Sequence, residues 1–535
     1  MRFIVQLAGL VILFLHLGAA SAAHGDLVAK VDAIFKSTAN APAPGCALGL
    51  RYADQPIMTR AYGQTDLEHG ISNTPDTIFE AGSVSKQFTA AAILLLAQDG
   101  KLSLSDSVHK YLPELPDYGS RISIDHLLTH TSGLRDWGSL VEIAGWPRGT
   151  RAVTMEQALA LIVRQRSLNF TPGTEYSYSN TGYVLAALIV QRISGQSLAE
   201  FTRKRMFVPL GMSHTSWRDN FRRVVPQRAI AYSKEGDGYE QDMPFEDVYG
   251  HGGLLSSVGD LLIWNEALKQ NKLGSEITQQ LQHQATLSDG RLSDYGHGLF
   301  MQEYLGVKEI SHGGATAGYR TWLGRFPQHD LSIALLCNSG DAKPGRMAHE
   351  LAQAILALPG APILPAVPLA FTDAALAGSF FNQRNATRVN LTYRDGQLML
   401  PGDTLLRQTS ANSFAVKSGT FIFAGHDNFI ARAPGSETTG YQRVTGAMQN
   451  LSTYSGRYRN DEVMVTYEVS PESDKLAFRL SDKPDTVFHL APLAADTFGG
   501  DDIVVRFKRN AAKKIIGASV SSERMFDLAF QRKAD

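Results

Sequence analysis

Cysteine is scarce: Cys46 and Cys337 are the only two in 535 residues. That excludes a disulfide-dense scaffold and a cysteine-rich zinc site. Neither charge sign is in excess, with Lys+Arg 51 against Asp+Glu 52 and a formal net charge of −1. The overall basic excess usual in a nucleic-acid binder is therefore missing. Aromatic residues make up only 9%. After the first residues no apolar run is long enough to span a bilayer. Neither G-x-G-x-x-G nor G-x-x-x-x-G-K-[ST] occurs, so no nucleotide cofactor is implied. No G-x-S-x-G elbow occurs, which argues against an α/β-hydrolase.

What is present is ordinary globular composition, 44% apolar and 19% charged, which excludes a wholly disordered chain. The length fits about three to four domains. Arg2, the apolar run Phe3 to Leu17 and the small-x-small Ala20-Ser21-Ala22 read as a signal peptide over residues 1–22. An uncleaved N-terminal anchor is the alternative. The expectation is a secreted or periplasmic protein. Export permits a disulfide without requiring one, and two separate buried thiols fit equally well.

From Leu27 to Leu358 helical and strand patterns mix. Val84–Gln98 and Gly259–Lys269 have helical spacing, and Cys46–Tyr52 and Leu331–Cys337 read as strands. Residues 359–374 carry Pro359, Pro362, Pro365 and Pro368, a stiff linker. Beyond it short alternating strands dominate, with Asp395-Gly396 a hairpin signal. The stretch "LAGSFFNQRNATRVNLTY" is echoed by "YSGRYRNDEVMVTYEVS". The echo implies two similar β modules, 375–448 and 449–535, as small antiparallel barrels or sandwiches.

Three short motifs carry chemistry. Ser83-Val84-Ser85-Lys86 puts a hydroxyl and an amine on one helix face. A serine is a poor nucleophile until a neighbour takes its proton, and the helix N-terminus offers backbone N–H groups to a nascent oxyanion. Taken alone, the motif equally describes a solvated surface lysine. Tyr178-Ser179-Asn180 follows the loop signal Pro172-Gly173 and opens a helix. A tyrosine can pass a proton to a leaving group, and an asparagine amide can hold a substrate carbonyl or the lysine. Tyr176 lies two residues early. His312-Gly313-Gly314 joins two strand-like runs. Its glycines admit close backbone approach, and the N–H of Ala315 can pair with that of Ser83 as an oxyanion hole. A second His-Gly-Gly, at His251, leads into a helix. His312 is taken as the motif residue and His251 as a loop residue beside the cleft. His126 and His130, spaced i, i+4, lack a third ligand, so packing histidines are expected and no metal.

In order and spacing these motifs resemble the penicillin-recognising serine hydrolases. That group includes class C β-lactamases, D-alanyl-D-alanine carboxypeptidases, D-aminopeptidases and related esterases. "IDHLLTHTSGL" and "GHGGLLSSVGDLLIW" extend the likeness over Leu27–Leu358. The resemblance implies an α/β plus α fold: a β-lactamase/transpeptidase-like domain, with an antiparallel sheet flanked by helices, beside a helical subdomain. It implies an acyl-enzyme on Ser83, with Lys86 as base and Tyr178 as acid/base. Asn180, His312, Gly314 and Ala315 would contact substrate, and no cofactor is needed. His312 stands where the β-lactamases carry the lysine of Lys-Thr-Gly. An imidazole is mostly neutral at pH 7, which disfavours efficient β-lactam hydrolysis. The trailing modules resemble those of three-domain D-aminopeptidases, in which a loop of the last module reaches the site. The matching "TFGGDDIVVRF", with Asp501 and Asp502, is short.

The same sheet would bring Cys46 and Cys337 near each other; proximity is expected, not a bond. The expected partners are a small molecule or short peptide. Neither nucleic acid nor a stable membrane span is expected, and a homodimer is left open. D-residue peptides rank first as substrates, esters second and β-lactams third. The rival reading is a non-catalytic protein that binds peptides or wall fragments.

Overall fold

The computed structural model describes residues 28–35, 42–359 and 373–534, apart from positions 148, 150, 383, 385, 386, 402, 403, 417, 418, 433–437, 447–449, 501 and 502. The signal segment, most of the proline-rich linker, Asp501 and Asp502 lie outside the described residues. Within them, no helix is long and apolar enough to cross a membrane.

The first part of the chain is built on one antiparallel sheet. Its strands are β1 (Cys46–Tyr52), β2 (Met58–Tyr62), β3 (Phe300–Tyr304), β4 (Val307–Thr316), β5 (Tyr319–Phe326) and β6 (Leu331–Cys337). Their order across the sheet is β3-β4-β5-β6-β1-β2. β6, "LSIALLC", is apolar almost throughout because both of its faces are covered. Successive residues point to opposite faces. Ala334 and Leu336 join the core beneath Val258, Leu261 and Leu262. Ile333 and Leu335 join Ala348, Leu351 and Ala352 on the other side. The covering helices are those that follow α1 (Lys86–Gln98) and α2 (Asn180–Ser194), namely α3 (Val258–Lys269) and α4 (Pro344–Leu356).

Cys46 lies directly opposite Cys337 in the β1–β6 register. The two are joined as a disulfide, with Cα atoms 4.0 Å apart. Proximity was the expectation; the bond goes further and replaces the picture of two free thiols. The first and last strands of the sheet are thus stapled.

Between β2 and α3 lies the helical part. α1 is buried on every side from Lys86 to Leu96, as befits a core helix, and it packs on α2. The expected helix Val84–Gln98 starts later. Gly82–Ser85 forms a 3₁₀ turn, and the α-helix opens at Lys86.

The C-terminal part is all strand. Among the described residues, nine strands from Gly378–Asn382 to Thr438–Arg443 make one curled, nearly closed sheet. Eight more, from Gly456–Asn460 to Met525–Arg532, close into a barrel. The sequence echo has a structural counterpart. Arg443, ending the first module, donates to the carbonyl of Ala377 at 2.8 Å, just before Gly378. Arg532, ending the second, donates to Ser455, just before Gly456, at 2.6 Å.

The barrel shares a continuous apolar core with the helical part. Tyr467 donates its hydroxyl to the Ile143 carbonyl at 2.9 Å, and Lys483 donates to Gly145 at 2.6 Å. Arg135 and Glu462 form a buried ion pair of 3.1 Å across the junction.

Candidate active site

The 3₁₀ turn explains the first motif. Residues i and i+3 eclipse in a 3₁₀ turn, so Lys86 stands directly over Ser83. Lys86 Nζ donates to Asn180 Oδ1 at 2.8 Å and to the His251 carbonyl at 2.7 Å, and lies 3.1 Å from Ser83 Oγ. The lysine is fully buried. Burial, reinforced by the nearby Arg524 charge, pushes its pKa well below the usual lysine range, while Asp136 opposes the shift. A neutral amine keeps two N–H donors and gains a lone pair. Asn180 Oδ1 and the His251 carbonyl can only accept. They therefore take the two donors, and the lone pair faces the Ser83 hydroxyl. That is the arrangement for removing its proton.

The second motif sits where α2 begins. Asp136 accepts from the Asn180 backbone N–H at 2.6 Å, and its other oxygen caps Trp137–Ile143 through Gly138 and Ser139. Thr181 Oγ donates to the Arg135 carbonyl at 2.7 Å and accepts from Trp137 N at 2.8 Å. The segment around Asp136 thereby fixes Asn180, whose amide oxygen faces Lys86 and leaves its NH2 for a substrate.

The Tyr178 ring lies 4.7 Å from Lys86 Nζ. Burial raises the phenol pKa above its usual value. Ser83 is near enough to temper that rise, yet the buried hydroxyl makes no well-formed hydrogen bond. Tyr178 therefore stays protonated and can donate. Tyr176, the earlier tyrosine, is buried against His130 and Tyr295 instead.

The third motif forms an open strand edge. β3 pairs with β4 only as far as Ser311. From His312 to Thr316 the described residues pair β4 on its β5 side alone. The open side meets the 3₁₀ turn closely. Gly82 has φ +51, and a Cβ there would stand 2.7 Å from Ala315 N. A Cβ on Gly314 would stand 2.2 Å from the Ala81 carbonyl oxygen. The Ala315 and Ser83 amides can thus converge on one oxyanion.

His312 is buried and held as a neutral ring. Nδ1 contacts the Gly313 carbonyl at 2.5 Å and must carry the proton, so Nε2 accepts from the Tyr295 hydroxyl at 2.9 Å. Burial, with Lys86 nearby, pushes its pKa down to about 3. It offers no charge to a substrate carboxylate.

A cavity of about 570 Å³ is lined by Ser83, Tyr178, Asn180, His312, Gly314 and Ala315, with Lys86 in contact with Ser83. All seven expected residues are together. A second cavity, about 480 Å³, opens beside it; Asn180, His251 and Arg524 border both.

His251, expected beside the cleft, contributes in a way that was not foreseen, and Arg524 was missed altogether. His251 acts through its backbone carbonyl, which no side-chain motif reveals. Arg524 comes from the last hairpin of the barrel, between Ile515–Ser522 and Met525–Arg532. Its guanidinium lies 4.9 Å from the Tyr178 ring. Its carbonyl accepts from Asp136 N at 3.2 Å and Asn169 Nδ2 at 3.1 Å. The only hint was the conspicuous "IIGASVSSE", which ends one residue before it. The last module does reach the cleft, through this hairpin. His126 and His130 do not form a metal pair. His126 closes a capping box with Ser123, and His130 accepts from Ser179 N at 3.2 Å.

Comparison with known proteins agrees with this geometry. Penicillin-binding protein 4* of Bacillus subtilis is 32% identical over 53% of this chain and 65% of its own length. The D-aminopeptidase of Brucella anthropi is 29% identical over 78% of this chain and 79% of its own. The fold matches the octameric penicillin-binding protein homologue from Pyrococcus abyssi, at TM-score 0.56 and 20% identity, over 95% of this chain and 99% of that one. It also matches the D-amino acid amidase from Ochrobactrum anthropi SV3, at TM-score 0.54 and 22% identity, over 62% of this chain and 99% of that one. The family model described as Beta-lactamase matches residues 31–357. This chain, with a serine, a buried lysine and a tyrosine converging beside an open strand edge, belongs to the Beta-lactamase family and is a serine hydrolase.

Proposed function

We propose that the protein is an exported hydrolase that cleaves amide bonds next to D-residues, and esters, through an acyl-enzyme on Ser83. One observation carries the reading: the buried Lys86 amine, fixed by two acceptor-only groups, presents its lone pair to the Ser83 hydroxyl. Ser83 Oγ attacks the carbonyl carbon and passes its proton to Lys86. The Ser83 and Ala315 N–H groups take the oxyanion. Tyr178 donates its proton to the leaving nitrogen or oxygen and recovers one from Lys86. Water, deprotonated by the same pair, then releases the acid.

The names of the relatives support D-residue substrates first. Esters come second and β-lactams third, because the neutral His312 supplies no carboxylate anchor on the strand. Partners on this reading are small molecules or short peptides. The test compares wild type with Ser83→Ala on a D-alanine p-nitroanilide and a p-nitrophenyl ester, with intact masses taken during turnover. An acyl adduct and turnover confined to wild type are expected. Near-normal turnover by Ser83→Ala overturns the mechanism.

A further inference from the structure

The Arg524 guanidinium is a cation without a counterpart in hydrogen bonding. Its Nε is buried and makes no hydrogen bond, and no group among the described residues accepts from its other N–H donors. The neighbouring carboxylates are otherwise engaged. Asp136 accepts from three backbone amides, Glu246 pairs with Arg218 at 3.2 Å, and Glu523 is exposed. Leaving a buried donor unmade is unfavourable, and a guanidinium is shaped for a planar two-oxygen acceptor. Arg524 also borders both cavities, next to Asn180.

We infer that Arg524 is a substrate-binding residue, a subsite for a carboxylate carried by the substrate, delivered to the cleft by the C-terminal barrel. It supplies from another module the positive charge that His312 does not supply from the strand. The same charge favours a carboxylate over a neutral group, and a neutral group over an ammonium, at this point of the cleft. This inference rests on the hydrolase reading for its meaning, yet its test does not depend on turnover.

The experiment uses the full chain carrying Ser83→Ala, alone or with Arg524→Gln or Arg524→Lys. Binding of N-acetyl-D-alanine, N-acetyl-D-alaninamide and D-alaninamide is measured by calorimetry. The hairpin is docked through the Arg524 carbonyl, not its side chain, so both replacements leave that docking in place. The carboxylate should bind about 10- to 100-fold tighter than its neutral amide. Arg524→Gln should erase the preference and Arg524→Lys should keep part of it. An absent preference, one that survives Arg524→Gln, or tighter binding of cationic D-alaninamide overturns the inference. Failure of the hydrolase reading shows separately, as Ser83→Ala retaining turnover.

Discussion

Lys86 Nζ lies 3.1 Å from Ser83 Oγ, and Lys86 is wholly enclosed by protein. An enclosed amine is the weaker for holding a proton, and one held between two carbonyl oxygens cannot turn away from the serine. Among the described residues no carboxylate is in hydrogen-bonding contact with this amine, so its basicity is set chiefly by burial.

Removal of either end of this relay has a defined effect. Ser83→Ala or Lys86→Ala is expected to abolish nearly all turnover, because the two work as a unit. Tyr178→Phe keeps the ring against Lys86 and removes only the proton donor. It is expected to lower kcat by about 10²- to 10⁴-fold. Steady-state kinetics on an anilide checks all three, and intact-mass spectra show whether acylation itself has stopped.

The buried His312 gives a pH signature. Its pKa is pushed down to about 3 in the fold, against about 6.5 in an unfolded chain. Below pH 6.5 the unfolded chain therefore binds a proton that the folded chain refuses. Stability from this group is full above pH 6.5 and is lost as pH falls toward 3. At pH 4 the loss is about 3 kcal/mol. Urea unfolding of wild type and His312→Asn at pH 7 and pH 4 should show a drop of that order in wild type beyond any in the variant.

The Arg135–Glu462 ion pair crosses the junction between the barrel and the helical part. Arg135 also donates to Gln165 at 3.1 Å, Ser167 at 2.9 Å and the Phe526 carbonyl at 3.2 Å. Glu462→Ala strands this buried guanidinium, at about 3–5 kcal/mol of stability. The variant should also lose activity, since Phe526 and Arg524 belong to one hairpin. Thermal unfolding and kinetics on the same samples check both effects.

The Cys46–Cys337 bond closes a sequence separation of 291 residues. In the chain-entropy account a loop of that size corresponds to about 6 kcal/mol of stabilisation. Dithiothreitol is expected to lower the Tm of wild type and to leave that of a Cys46→Ser, Cys337→Ser double variant unchanged.

The site was legible in the sequence where function rests on side chains close along the chain. Ser83 with Lys86, and Tyr178 with Asn180, each lie within one turn. His312 with Ala315 lies on one strand, and the glycines beside it announce a close approach. The sheet was legible through the apolar runs at Cys46–Tyr52 and Leu331–Cys337, although the covalent link between them was not. Contributions made by backbone atoms or across distant segments left no pattern. The His251 carbonyl could belong to any residue that the turn brings to Lys86. Arg524 sits in a polar hairpin like many others, and its meaning comes only from the 344 residues that separate it from Asn180 (524 − 180). The 3₁₀ turn at Gly82–Ser85 was hidden for a different reason. Its sequence fits an α-helix, and the tight contact of Gly82 with Ala315 decides otherwise.

Chains are made and begin to fold from the N-terminus, and the cleft is completed against that direction. Nucleophile, base, tyrosine and strand edge, residues 83 to 315, emerge before the hairpin that brings Arg524 over Tyr178. A nascent chain halted between these points would hold the reactive serine without the guanidinium that borders it. On the inferred role of Arg524, selectivity is thus acquired later in synthesis than reactivity, when the barrel hairpin joins the cleft.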